Sequence, residues 1–135
     1  MSPVGRSPSR IASVRHALRG LAIVLRAQRN AWIHAAASVL VMSLAIWLKL
    51  DTRDWGALLL AIGLVWMAEF LNTALEAVVD LASPGAHPLA RAGKDVGAAA
   101  VLIAAVTSAA VGFAILGPPL WQRLDLGRLL AGPGS

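Results

Sequence analysis

Apolar positions along this chain fall into one short periodic run and three long, nearly continuous ones, with polar breaks between them. In the short run, Ile11, Val14, Leu18, Leu21 and Leu25 recur at three- and four-residue steps, with Arg15, Arg19 and Arg26 on the flank. That spacing predicts an amphipathic helix over 9–28 lying in a membrane interface, with Ser9 after Pro8 as its cap. A signal peptide needs an uninterrupted apolar core, and the arginines break this segment throughout. Residues 1–8, made mostly of Ser, Pro, Gly and Arg, are expected to be disordered.

The first long run predicts a membrane span over 31–48, with Trp32 and Trp47 near its ends as interfacial aromatics. Its length suits a hydrocarbon core of about 30 Å at about 1.5 Å per residue. A short charge-balanced loop, Lys49 to Asp54, follows, with Asp54 expected to cap the next helix. The second span is placed at 55–81; at about 40 Å it outruns the bilayer or tilts in it. Ser83-Pro84-Gly85-Ala86-His87-Pro88 is a turn that stops it. The third span is placed at 89–117, ended by Gly117-Pro118-Pro119, with Trp121 at an interface and 121–135 as a C-terminal tail. Residues 9–120 thus read as one all-α membrane domain, an interfacial helix plus three transmembrane helices.

Composition supports the same class. Of 135 residues, 58% are hydrophobic and 14% charged, and the mean hydropathy is +0.70. Soluble domains average about 45–50% apolar and about 25% charged. With no cysteine, disulfide frameworks, thiolate nucleophiles and cysteine-based zinc sites are excluded. The net charge of +5 comes from arginines before the first span: Arg6, Arg10, Arg15, Arg19, Arg26 and Arg29. Together with Arg91 and Lys94 at the mouth of the third span, they place the N-terminus and the second loop on the cytoplasmic side, with the first loop and the C-terminus facing out. Basic and aromatic residues do not interleave, so no nucleic-acid role is expected.

The second span carries the chemistry. At about 100° per residue, Glu69, Asn72, Glu76 and Asp80 fall on one stripe roughly 80° wide. Polar side chains in a span can glue helices together by hydrogen bonding. Three carboxylates on one stripe suit that reading poorly, because they repel and are costly in a bilayer, so the stripe reads as a binding or catalytic site. Arg91, Lys94 and Asp95 stand at the same membrane level as Glu76 and Asp80. Carboxylates and an ammonium there can be simply ion-paired, or can hold a metal ion and phosphate oxygens. Gly93-Lys94 resembles the end of a P-loop, but Pro88 stands in place of the first glycine and Asp95 in place of the Ser/Thr. Gly93-x-x-x-Gly97 with Ala100 and Ala104 offers a small-residue face for close helix contact. Three spans enclose no water-filled site alone, which points to a homo-oligomer.

Two motifs together, Glu69-x-x-Asn72-Thr-Ala-x-Glu76-x-x-x-Asp80 and Ala92-x-Lys94-Asp95-x-x-Ala98-x-x-Val101, resemble the small membrane lipid kinases of the prokaryotic diacylglycerol kinase and undecaprenol kinase family. The resemblance covers roughly Arg15 to Pro118. It implies a homotrimer with active sites between subunits at the cytoplasmic interface, where ATP and Mg²⁺ serve phosphorylation of a lipid alcohol. By resemblance Glu69 is the general base and Asn72 helps in orientation. Glu76 is a metal ligand near the phosphates. Lys94, Asp95, Asp80 and the loop Gly85-Ala86-His87 lie on the nucleotide side. The family's second metal-holding glutamate is matched here by Gln28, a neutral ligand. Asn30-x-x-Ile33-His34 looks more like the undecaprenol branch, so undecaprenol is favoured over diacylglycerol; His34 itself is left without a role, and Trp66 reads as lipid-facing or core. The rival reading is a small proton-coupled transporter subunit with Glu69 as proton relay. The Lys94-Asp95 pair argues against it.

Overall fold

The computed structural model describes residues 10–124, which form four helices: α1 (Arg10–Ala27), α2 (Arg29–Leu48), α3 (Thr52–Ala82) and α4 (Pro88–Arg123). The expected disordered start, the Ser9 cap and residues 125–135 of the expected tail lie outside the described residues. α2, α3 and α4 are each long and apolar enough to cross a membrane. Most of their large apolar side chains face outward, as Leu60, Ile103 and Phe113 do, which is affordable only where the surroundings are themselves apolar.

α3 and α4 form the closest pair in the bundle, and α2 lies more loosely against both. The small-residue face of α4 is what lets α3 approach: Gly97 and Ala104 are buried, and Gly93 comes up against Val79. Close backbone approach through small residues is the general device for helix contact where water supplies no driving force. Ala100 of the same run stays exposed. At the end of the bundle far from Glu76, Ala45, Leu58 and Leu116 make a small core flanked by Leu44, Leu48 and Trp55. In α1, Ile11, Val14 and Leu18 remain exposed and Val24 is buried, the arrangement of an amphipathic helix whose apolar stripe awaits a lipid interface.

Two local expectations are corrected. Asp51, not Asp54, caps α3: its carboxylate accepts from the Asp54 backbone N–H at 2.9 Å, and the helix starts at Thr52. Asp54 lies in the first turn, where a negative charge also suits the helix dipole. α4 runs through Pro118 and Pro119 to Arg123 instead of ending at them. The prolines delete two N–H donors, but Gly117 before them tolerates the crowding. Packing of Leu116, and the Arg123 guanidinium 5.2 Å above the Trp47 ring, hold the last turns to α2. Trp66, read as lipid-facing or core, donates its indole N–H to Ser38 Oγ at 3.2 Å and so ties α3 to α2.

Candidate active site

The polar stripe of α3 does lie on one side of the helix, but its members face different neighbours. Glu69 is 2% exposed, and its Oε2 lies 3.9 Å from Nε2 of His34 on α2. Its backbone carbonyl accepts from Thr73 Oγ1 at 2.9 Å. One turn on, Asn72 is 8% exposed and is turned toward α4. Its Nδ2 donates to Glu76 Oε1 at 3.0 Å, while its buried Oδ1 has no hydrogen-bond partner. That oxygen sits against Gly97, where an added Cβ would lie only 2.3 Å from it. The glycine is therefore required for Asn72 to keep this orientation.

Glu76 gathers the site. Besides the Asn72 donor, its Oε2 accepts from Gln28 Nε2 at 2.8 Å. Gln28 breaks the chain between α1 and α2; its backbone is extended and its side chain caps nothing. The α1–α2 corner is thereby brought onto α3, 48 positions away in sequence. An ionised carboxylate can only accept, so the amide nitrogens of Gln28 and Asn72 must face it. Two donors leave lone pairs on Glu76, and Gln28 Oε1 stays free. This donor set of hard oxygens fits a Mg²⁺ ion, which usually takes one or two carboxylates and completes its shell with water and phosphate oxygens. Among the described residues no three His, Cys, Asp or Glu side chains converge on one metal position, so water and phosphate oxygens would complete the shell.

Farther along the stripe, Asp80 pairs with Lys94 of α4, both solvent-accessible. Asp95 and Arg91 are exposed beside them. In the turn, Gly85, Ala86 and His87 are exposed; Ser83 Oγ donates to the Gly85 carbonyl at 3.3 Å, and His87 Nδ1 accepts from Leu89 N–H at 3.2 Å, capping α4. Eleven residues separate Glu69 from Asp80, about 16 Å along the helix. The buried carboxylate and the exposed ion pair are thus at different depths.

Beside His34 a groove opens between α2, α3 and α4, with a cavity volume of about 330 Å³. It runs past Val41, Leu44, Leu58 and Ala109 to Leu120 and is almost wholly apolar. The polar groups in it are largely spent: Ser108 Oγ donates to the Ala61 carbonyl at 2.8 Å, and Ser38 Oγ to the His34 carbonyl at 2.7 Å. Sequence reasoning overlooked the part of His34 in this arrangement. Its signal, a histidine at the polar end of an apolar span, does not reveal which helix it will face.

Fold and site together define a helical integral-membrane protein with an acid–amide cluster at one end of its bundle. The family model for prokaryotic diacylglycerol kinase matches residues 15–116. The chain belongs to that family, whose members are phosphotransferases with an alcohol acceptor. It is 41% identical over 105 residues to an undecaprenol kinase of Bacillus subtilis, covering 78% of this chain and 85% of that one. To a diacylglycerol kinase of Synechocystis it is 41% identical over 115 residues, covering 84% and 66%. To a diacylglycerol kinase of Escherichia coli K12 it is 39% identical over 87 residues, covering 59% and 71%. Nothing in these similarities supports the transporter reading.

Proposed function

We propose that this protein transfers the γ-phosphoryl group of ATP to the hydroxyl of a membrane lipid alcohol, undecaprenol in preference to diacylglycerol. The observation that carries the reading is the depth order on α3. A buried carboxylate, Glu69, stands beside His34, which lines one end of an apolar groove, and Glu76, Asp80 and Lys94 follow toward the exposed end. A lipid hydroxyl arrives from the membrane and a nucleotide from water, so the two substrates would meet between these levels.

In this reading Glu69 accepts the hydroxyl proton as the oxygen attacks phosphorus. General-base assistance of this kind is worth about 10²–10⁴-fold. Asn72 holds Glu76 in place. Lys94 and Asp95, with Asp80 and the Gly85-Ala86-His87 turn, take the nucleotide, and Lys94 would leave Asp80 for a phosphate. Glu76 and Gln28 would hold Mg²⁺, which supplies charge neutralisation at the phosphates when bound. The groove suits a single long isoprenoid tail, since along α2 it extends about 15 Å from His34 to Leu44. The active assembly is a homotrimer in the inner membrane, with the N-terminus and the Ser83–Pro88 turn in the cytoplasm. The exposed flank of α3 and α4 lined by Leu71, Leu75, Val96 and Ile103 would meet the neighbouring subunit.

The test is phosphorylation of undecaprenol and diacylglycerol, offered in parallel to the purified protein with γ-labelled ATP. Label should enter undecaprenol faster. Equal or preferential labelling of diacylglycerol would overturn the acceptor assignment, and no labelled lipid from either would overturn the kinase reading.

A further inference from the structure

Glu69 is a carboxylate withdrawn from water, and a buried charge needs a partner or donors to hold it. Among the described residues two side-chain contacts bring a basic residue to a carboxylate of α3. One joins Lys94 to Asp80 at the exposed end, and the other sets His34 of α2 against Glu69. The turn of α2 that bears His34 is itself fastened to α3: Trp66 Nε1 donates to Ser38 Oγ, which donates to the His34 carbonyl. Trp66 precedes Glu69 by three residues, so this link and the carboxylate share one turn of α3. His34 is 15% exposed and lines the apolar groove. It thus stands where the groove meets the carboxylate.

We propose that His34 is the positioning residue for Glu69, setting the carboxylate at the mouth of the groove so that one oxygen faces the incoming lipid hydroxyl. The present 3.9 Å separation is too long for a hydrogen bond. Catalytic contacts of this kind are often long before substrate binds and tighten in the complex. Closing by about 1 Å would bring Nε2–H onto Oε2 and leave Oε1 for the hydroxyl proton. At this depth the Trp66–Ser38 hydrogen bond ties α2 to α3 beside the His34–Glu69 contact. The inference rests on the lipid-kinase reading for its kinetic consequence, but not for the contact itself.

The experiment compares His34→Leu and His34→Gln with the parent, measuring kcat and the KM for ATP with undecaprenol as acceptor. His34→Leu should lower kcat by roughly tenfold or more, a share of the about 10²–10⁴-fold a general base supplies, with the KM for ATP unchanged. His34→Gln, whose terminal amide N–H reaches a similar place, should recover most of that loss. A His34→Leu protein with parental kcat, or a Gln variant no better than Leu, would overturn the proposal. A second readout needs no activity. The chain has three histidines, His16, His34 and His87, so their ring resonances can be followed separately by NMR in detergent micelles. Glu69→Gln should move the His34 ring signals and leave those of His16 and His87 in place. Unmoved His34 signals would overturn the contact, whereas a parent protein that labels no lipid would instead defeat the kinase reading.

Discussion

Glu69 and Glu76 stand two turns apart on the same face of α3, yet one looks toward a histidine and the other toward two amides. In the proposed function that difference in partners goes with different work. Glu69→Gln keeps the shape but cannot take a proton, so turnover should fall by about 10²–10⁴-fold while the protein folds as before. A rate within a few-fold of the parent, measured on purified protein, would remove Glu69 as the base. Gln28→Glu tests the other end. It replaces a donor on Glu76 by a second carboxylate, so without metal the hydrogen bond becomes like-charge repulsion. With Mg²⁺ present the added charge should favour binding, lowering the concentration that gives half-maximal rate. The expected signature is therefore twofold: a lower thermal midpoint in chelator and a larger gain on adding Mg²⁺. Superimposable melting and Mg²⁺ curves for the two proteins would show that residue 28 holds no metal.

At the level of helices, the site depends on how near α4 comes to α3. Gly97 makes that approach possible, because a Cβ there would meet Asn72 Oδ1 at 2.3 Å and Leu75 Cδ2 at 3.1 Å. Gly97→Ala must push Asn72 aside, and with it the donor that holds Glu76. Overpacking of this kind costs about 1–3 kcal/mol, so the thermal midpoint should drop and activity should fall with it. An Ala variant as stable and active as the parent would show that the two helices are not in tight contact. The link between α2 and α3 makes a smaller demand: Lys49 closes α2 at φ 56°, with its N–H bonded to Ile46 and that of Leu50 to Ala45. A left-handed lysine is strained, but the bend gives the Ala45 and Ile46 carbonyls their partners.

For the whole molecule, the arginines of α1 and the exposed apolar flanks of α2–α4 call for a membrane around the bundle and an interface beneath α1. The proposed orientation has a simple check, since the chain contains no cysteine. A cysteine at the exposed position 86 should be protected from a membrane-impermeant maleimide in intact cells and labelled in inverted vesicles. One at position 53, in the first turn of α3 at the other end, should show the reverse pattern. Labelling of both from the same side would refute three crossings, and the opposite pattern at both would invert the topology.

Much of this was legible in the sequence. Three apolar runs of membrane length separated by short polar breaks admit few folds, because a bilayer leaves backbone groups no partner outside a helix. The stripe from Glu69 to Asp80 was equally plain, since helical periodicity depends only on spacing along one chain. What the stripe would face was not. That Asn72 turns to Gly97, that Gln28 returns to Glu76 across 48 residues, and that His34 comes to Glu69 are matters of how separate helices pack. The Asp51 cap is different, a bond within one segment that the sequence could have shown, whereas α4 continuing past Pro118 and Pro119 goes with the contact of Arg123 to Trp47 of α2. Local propensity reports the bonds a segment can make with itself. The partner of each carboxylate is supplied by another helix, and only the tertiary structure determines which.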